Sequence, residues 1–204
     1  MQDLERALSD IKALRSQLAR GMQFRGYGPA AFAATGVLAF AAAIAQSQWI
    51  ANPANDLSAY LSLWVATAAL SATIIGIDVI TRSQRAHSGL ADEMIQSAAE
   101  QLLPAMVAGA LLTFVVARYT PQNAWMLPGL WQVVLSLGVF ASCRSLPPQL
   151  IAVGVWYLGS GLICLALAHD ADAFSPWAMG VPFGIGQLLT SALIYRYGGA
   201  DADA

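Results

Sequence analysis

The chain has 204 residues, of which 57% are hydrophobic and only 11% charged, with a formal net charge of −2. A soluble domain carries about a quarter charged residues, so this composition indicates a single membrane domain surrounded by lipid over most of its length. The small net charge gives no reason to expect nucleic acid or an acidic substrate as a partner.

Residues 1–25 predict a short cytoplasmic amphipathic helix ahead of the membrane domain. Its apolar side chains recur at helical spacing and include a fragment of a coiled-coil heptad. They are Leu4, Ile11, Leu14 and Leu18. We expect this helix to lie on the membrane or on the protein's own cytoplasmic face, or to contact a protein partner or a second copy of the chain.

Six long apolar runs follow, each close to the ~17–25 residues that a helix needs to cross a hydrocarbon core. They cover Ala30–Ile50, Leu57–Thr81, Leu102–Tyr119, Trp125–Cys143, Leu150–Ala168 and Trp177–Tyr195. The sequence therefore predicts an all-α membrane protein with six transmembrane helices within residues 26–197. Residues 198–204 are predicted to form a disordered cytoplasmic tail.

The basic residues predict the orientation of these helices in the membrane. If all six runs cross, nine of the ten Lys and Arg residues fall on one side, and only Arg118 lies near the other. The nine are Arg6, Lys12, Arg15, Arg20, Arg25, Arg82, Arg85, Arg144 and Arg196. Basic residues favour the cytoplasmic side, so we expect both termini to lie in the cytoplasm.

The second run carries the most polar helix face of the membrane domain. At 100° per residue, one narrow stripe contains Tyr60, Trp64, Thr67, Ser71, Asp78 and Arg82. An ionisable group in a membrane helix is by default a functional candidate, which favours an ion or substrate path along Thr67, Ser71 and Asp78. The alternative is that Asp78 is an interfacial acid paired with Arg82 at i,i+4.

Between the second and third runs, the segment Ser83–Gln101 predicts a cytoplasmic connector. Its apolar residues Leu90, Met94, Ile95 and Ala98 indicate a short helix lying at the membrane interface.

Small residues in the last two runs indicate helix packing. Gly180-x-x-x-Gly184 is a contact motif of the kind that lets two helices approach closely in lipid, and Gln187 lies on the same side of the sixth helix. Gly154 and Gly161 share one side of the fifth helix. Buried amides such as Gln132 and Gln187 more often join helices than bind substrates.

The sequence contains few of the residues and none of the common motifs that catalysis would require. His87 falls in the predicted cytoplasmic connector and His169 in an outer loop, on opposite sides of a core about 30 Å thick. No zinc-protease, CxxC, Walker or nucleophile-elbow motif is present. We therefore expect no enzyme activity, no cofactor and no bound metal.

Short motifs give the chain a family resemblance. An aromatic-glycine entry, Phe24-Arg25-Gly26-Tyr27-Gly28, precedes the first span, Leu127-Pro128-Gly129-Leu130-Trp131 opens the fourth, and Phe183-Gly184-Ile185-Gly186 lies in the last. With these the chain resembles a group of uncharacterised bacterial six-helix inner-membrane proteins. The resemblance implies a six-span protein of the bacterial inner membrane, and it implies no activity. Gln187 stands where the resemblance would place a His, so no His-based role is expected there.

Two functions remain open from the sequence. The first is an accessory, sensory or regulatory membrane subunit that acts through helix packing and its cytoplasmic helix. The second is a small dimeric transporter or channel for a cation, a proton or a small solute, with its path along Asp78 and the polar stripe. The direction of that stripe distinguishes them, because a transport path must line a water-accessible cavity.

Overall fold

The computed structural model describes residues 28–85, 91–143, 148–168 and 172–198. These residues are 92% helical and contain no strand. The predicted N-terminal helix with Leu4, Ile11, Leu14 and Leu18 lies outside this part of the chain, as do residues 199–204 of the predicted tail. Gly198, which was predicted to begin that tail, is instead the last residue of a helix.

The described part contains six α-helices. They are α1 (Pro29–Trp49), α2 (Leu57–Arg85), α3 (Ala91–Tyr119), α4 (Leu127–Ser142), α5 (Ile151–Leu167) and α6 (Pro176–Gly198). Three 3₁₀ turns lie between them, at Pro121–Met126, Pro148–Leu150 and Asp172–Phe174.

Local sequence explains several helix starts. Pro29 begins α1, where its missing N–H is one of the donors left free at any helix start. Asp56 caps α2, since its Oδ1 accepts hydrogen bonds from the backbone N–H of Ala59 at 3.1 Å and the hydroxyl of Ser58 at 2.9 Å. The pKa of Asp56 is held below its usual value by these two hydrogen bonds, the backbone one first.

The helices form a ring in chain order. Each contacts the next, and α6 returns to pack along α1 in the most extensive contact of the bundle. The α4–α5 pair makes the second most extensive contact, and α4 also touches α6 across the ring. We call the end of the bundle where α1 begins the Pro29 end, and the opposite end the Trp49 end.

The core consists of two clusters, one toward each end. Tyr60, Trp64, Leu127, Phe174 and Met179 belong to the cluster at the Trp49 end. The smaller cluster at the Pro29 end is built on Leu150, Val153 and Tyr157. Phe183 of α6 packs against both, so α6 connects the two halves of the interior.

Five helices of the described part are long and apolar enough to cross a membrane. These segments are Pro29–Trp49, Leu57–Arg82, Pro121–Ser142, Pro148–Leu167 and Pro176–Arg196. Leu103–Tyr119, within α3, is a shorter apolar stretch. A helical bundle with membrane-spanning apolar helices is therefore supported, while the sixth crossing and the side on which the termini lie stay predictions.

One expectation about the connector was wrong. Residues 91–101 do not form a separate interfacial helix but are the first three turns of α3, which continues without a break to Tyr119. The sequence suggested a boundary because the apolar run begins only at Leu102, yet backbone hydrogen bonding in a helix does not require its side chains to be apolar.

Candidate functional site

The polar stripe of α2 faces the bundle interior at one end and becomes exposed at the other. Tyr60 and Trp64 are fully enclosed at the Trp49 end, and Arg82 is exposed at the Pro29 end. Thr67, Ser71 and Asp78 lie between them and are half-buried. The stripe therefore runs from packed core to open surface along a single helix.

Asp78 is bound on two sides. Its Oδ2 accepts the backbone N–H of Gly28 at 2.7 Å, and the Nε of Arg82 donates to Oδ1 at 3.0 Å and Oδ2 at 3.1 Å. Gly28 directly precedes α1, and the N–H groups at a helix start lack intrahelical partners and carry partial positive charge. Asp78 thus caps α1 from a neighbouring helix.

The residue at position 28 has to be small for this contact. A Cβ added to Gly28 would lie 2.5 Å from both Arg82 Nε and Asp78 Oδ2, closer than non-bonded atoms approach. On the other side of the same junction, the Ser191 hydroxyl of α6 donates to the Pro29 carbonyl at 2.7 Å. These contacts hold the start of α1 against both α2 and α6. We call the five residues that make them the α1 anchor: Gly28, Pro29, Asp78, Arg82 and Ser191.

The rest of the predicted path does not extend the anchor. The Thr67 hydroxyl donates to the Leu63 carbonyl of its own helix at 2.8 Å. Along an α-helix, Thr67 lies about 16 Å and Ser71 about 10 Å from Asp78. Among the predicted path residues, the structure therefore brings together Asp78 and Arg82 and leaves Thr67 and Ser71 separate from them.

The glycines predicted to pack lie at the two most extensive helix contacts. On α6, a Cβ at Gly180 would lie 2.5 Å from the Cβ of Ala43, and one at Gly184 would meet the Phe40 ring, both on α1. On α5, a Cβ at Gly161 would lie 2.8 Å from the Gly129 carbonyl oxygen of α4. Close approach of backbones is what associates helices in lipid, where no hydrophobic effect draws them together.

The remaining predicted packing residues also lie between helices. A Cβ at Gly154 would collide with the Phe140 ring of α4. Gln187 lies at the α1–α6 contact, where its Cβ is 3.3 Å from a Cβ built on Gly36.

Gln46 joins three elements, although nothing in the sequence pattern selected it. It is fully buried in α1, its Nε2 donates to the Phe174 carbonyl at 2.7 Å, and its Oε1 accepts the indole N–H of Trp64 at 2.7 Å. Its one sequence signal is an amide near the end of an apolar helix, which Gln48 shares although Gln48 is exposed. Only the partners, which lie far along the chain, distinguish the two.

A second unexpected contact involves the proline inside α6. Pro182 has no N–H, so the carbonyl of Ala178 four residues earlier loses its helical donor. The Nε2 of Gln132 on α4 donates to that carbonyl at 3.0 Å. The Trp156 indole of α5 donates to the Pro182 carbonyl at 2.9 Å. Two neighbouring helices thus bind the interrupted turn of α6.

Within the ranges that the structure describes, no group of three or more His, Cys, Asp or Glu side chains is placed to hold a metal ion. Comparison with protein-family models, with curated proteins and with solved structures gave no match. The features of the molecule that bear on its function are therefore the α1 anchor and the packing of α2.

Proposed function

We propose that this protein is a non-catalytic integral membrane protein that serves as an accessory, sensory or regulatory subunit. The proposal places it in the bacterial inner membrane with both termini in the cytoplasm, in line with the distribution of its basic residues. One observation carries the proposal: Asp78, the strongest candidate for a transport site, is bonded to the start of α1 and to Arg82.

The packing of the stripe argues against a transport path. Tyr60 and Trp64 have 0% and 4% of their surface exposed, and aromatic and amide neighbours surround them. A hydrophilic route through the bundle would need these positions to line water. Only the Asp78–Arg82 end of the stripe is open, and there the carboxylate is already paired with Arg82.

The α1 anchor is also the point at which the N-terminal segment joins the bundle. Residues 1–27 join the bundle at Gly28, and Gly28 is fastened to α2 through Asp78 while Pro29 is fastened to α6 through Ser191. A partner that binds the predicted helix with Leu4, Ile11, Leu14 and Leu18 would act on the chain next to this junction. This arrangement suits a subunit that receives or passes on a signal on the cytoplasmic side.

The transport alternative is tested with Asp78→Asn in proteoliposomes. We expect no flux of protons, Na⁺ or K⁺ above that of protein-free vesicles for either the wild type or the variant. We also expect the variant to be less thermostable in detergent, because the amide keeps an acceptor for Gly28 but loses the charge that pairs with Arg82. Wild-type flux that disappears in the variant without loss of stability would establish the transporter instead.

The partner interaction is tested by purifying the chain from its own host in mild detergent and measuring the mass of the complex. Replacing Leu4, Ile11, Leu14 and Leu18 by Ser should reduce the complex to the mass of this chain alone. The matched control is Ser9→Ala with Ser16→Ala, on the opposite face of the predicted helix, which should leave the complex intact. A complex that survives the Leu/Ile substitutions contradicts this part of the proposal.

A further inference from the structure

Two fully buried polar groups near the Trp49 end have no hydrogen-bond partner within the described part of the chain. They are the hydroxyl of Tyr60 and the Oε1 of Gln132, in residues whose exposed fraction is 0%. A third such atom, Oε1 of Gln187, lies in a half-buried residue at the α1–α6 contact. Buried polar atoms of native proteins are almost always paired, so the first two call for a physical explanation.

The two groups belong to the same layer of the interior. The Tyr60 ring lies parallel to that of Trp131, the residue before Gln132, with 6.5 Å between centroids, and meets Phe174 edge-on at 5.0 Å. The Gln132 Cβ lies 3.0 Å from a Cβ built on Gly161. Phe174, which the Tyr60 ring meets, lies four residues before Ala178, whose carbonyl accepts the Gln132 amide. Both groups therefore adjoin Trp131 and the start of α6.

Their chemistry is complementary to a small neutral ligand. Gln132 already uses its Nε2 on the Ala178 carbonyl, so its free Oε1 is an acceptor only, whereas the Tyr60 hydroxyl both donates and accepts. Apolar side chains, among them Leu127, Phe174 and Met179, form the surrounding core. Among the residues that the structure describes, every buried polar side chain is uncharged, so none of them balances an ion. A buried water typically makes two to four hydrogen bonds of this kind.

We propose that the Tyr60 hydroxyl and Gln132 Oε1 together bind one neutral molecule of about the size of water, which donates to Gln132 Oε1 and hydrogen-bonds to the Tyr60 hydroxyl. This internal site connects α2 to α4 at the level where Pro182 interrupts α6. It does not depend on the accessory-subunit function.

A double-mutant cycle on the full chain in detergent tests the site. Tyr60→Phe keeps the ring and removes only the hydroxyl, and it should lower the melting temperature by about 2–4 °C, since a bridged hydrogen bond is lost. Gln132→Met should lower it further because the Ala178 bond is also lost. The double variant should be barely less stable than Gln132→Met alone, since the two groups share one bound molecule.

The control cycle pairs Gln132→Met with Tyr157→Phe. Tyr157 is also a buried tyrosine, but its hydroxyl lies 3.5 Å from the Phe183 carbonyl, so these two losses should add. An unchanged or higher melting temperature for Tyr60→Phe would overturn the proposal, because removing a truly unpaired hydroxyl costs nothing. Additive losses for Tyr60→Phe and Gln132→Met would overturn it as well.

An experimental structure at a resolution that shows water gives the second readout, which also applies if Gln132→Met does not fold. Density for a single water-sized molecule within hydrogen-bond distance of both atoms is expected in the wild type and should be lost in Tyr60→Phe. Absence of that density in the wild type, or density for a larger molecule, contradicts the proposal.

Discussion

Helices α1 and α2 are joined by one short turn, yet they are held in different ways. In an 18-residue span of each, 39% of the residues of α1 are buried but only 11% of those of α2, although the span of α2 is the more apolar of the two spans. Helix α1 owes its burial to small residues such as Gly36, Ala39 and Ala43, which lie against α6. Since lipid is as apolar as the side chains, close approach of backbones rather than hydropathy determines which helix is enclosed.

The difference means that α2 depends on a few specific contacts near its two ends. At the Trp49 end, Trp64 is hydrogen-bonded to Gln46. At the Pro29 end, Asp78 is hydrogen-bonded to Gly28. Between them, large apolar side chains such as Val65, Leu70 and Ile77 are about half exposed and face lipid if the helix crosses the membrane.

The largest loss of stability is expected when the close contact between α1 and α6 is disrupted. Gly180→Leu would force a side chain into Ala43 and separate α6 from α1, which should cost about 3 kcal/mol of unfolding free energy. The matched control is Gly76→Leu on α2, where an added Cβ meets nothing within 4 Å. Its stability should be unchanged or slightly raised, because Leu favours a helix more than Gly does. Thermal unfolding in detergent measures both, and equal losses would contradict the contrast between the helices.

Removing the hydrogen bonds that Gln46 makes at the Trp49 end should lower the stability by less. Gln46→Leu leaves the Trp64 N–H and the Phe174 carbonyl buried without partners, at a cost of about 2 kcal/mol. Gln48→Leu, on the exposed side of the same helix, serves as the control and should change little. Indole fluorescence would report the altered surroundings of Trp64 directly, and a Gln46 variant as stable as the control would show that packing alone positions α2.

The smallest effect is expected at the cap of α2. Asp56→Ala removes the acceptor for Ala59 N–H and Ser58, and should lower the melting temperature slightly at neutral pH. Because the pKa of Asp56 is lowered in the fold, its contribution is present above the usual aspartate pKa of 3.8 and is lost as the pH falls through the lower folded value. The difference between wild type and variant should therefore shrink in strong acid, and a constant difference would point to another cause.

Local pattern was enough to predict most of the helices. The bounds of α1, α5 and α6 agree with the apolar runs to within a few residues, because an apolar stretch bounded by Pro and polar turns leaves the backbone little choice in lipid. The start of α3 was missed, since its first turns are polar.

The site was less predictable, because its contacts join residues far apart in the chain. The Asp78–Arg82 pair is visible at i,i+4, but its bond to Gly28 crosses 50 residues, and the Gln46–Phe174 bond crosses 128. Helical periodicity shows which face a side chain occupies and carries no information about which distant backbone group it will meet.

The hydrogen bond between Gln132 and the Ala178 carbonyl has a consequence for how the chain can evolve. The Gln132 amide replaces the helical donor that Pro182 removes. Its contribution to stability therefore depends on a residue 50 positions away on another helix. A lineage that replaced the proline by alanine would regain the helical donor, and selection on the glutamine would relax. Descendants should therefore keep both residues or lose both, whereas a proline without the amide should be rare.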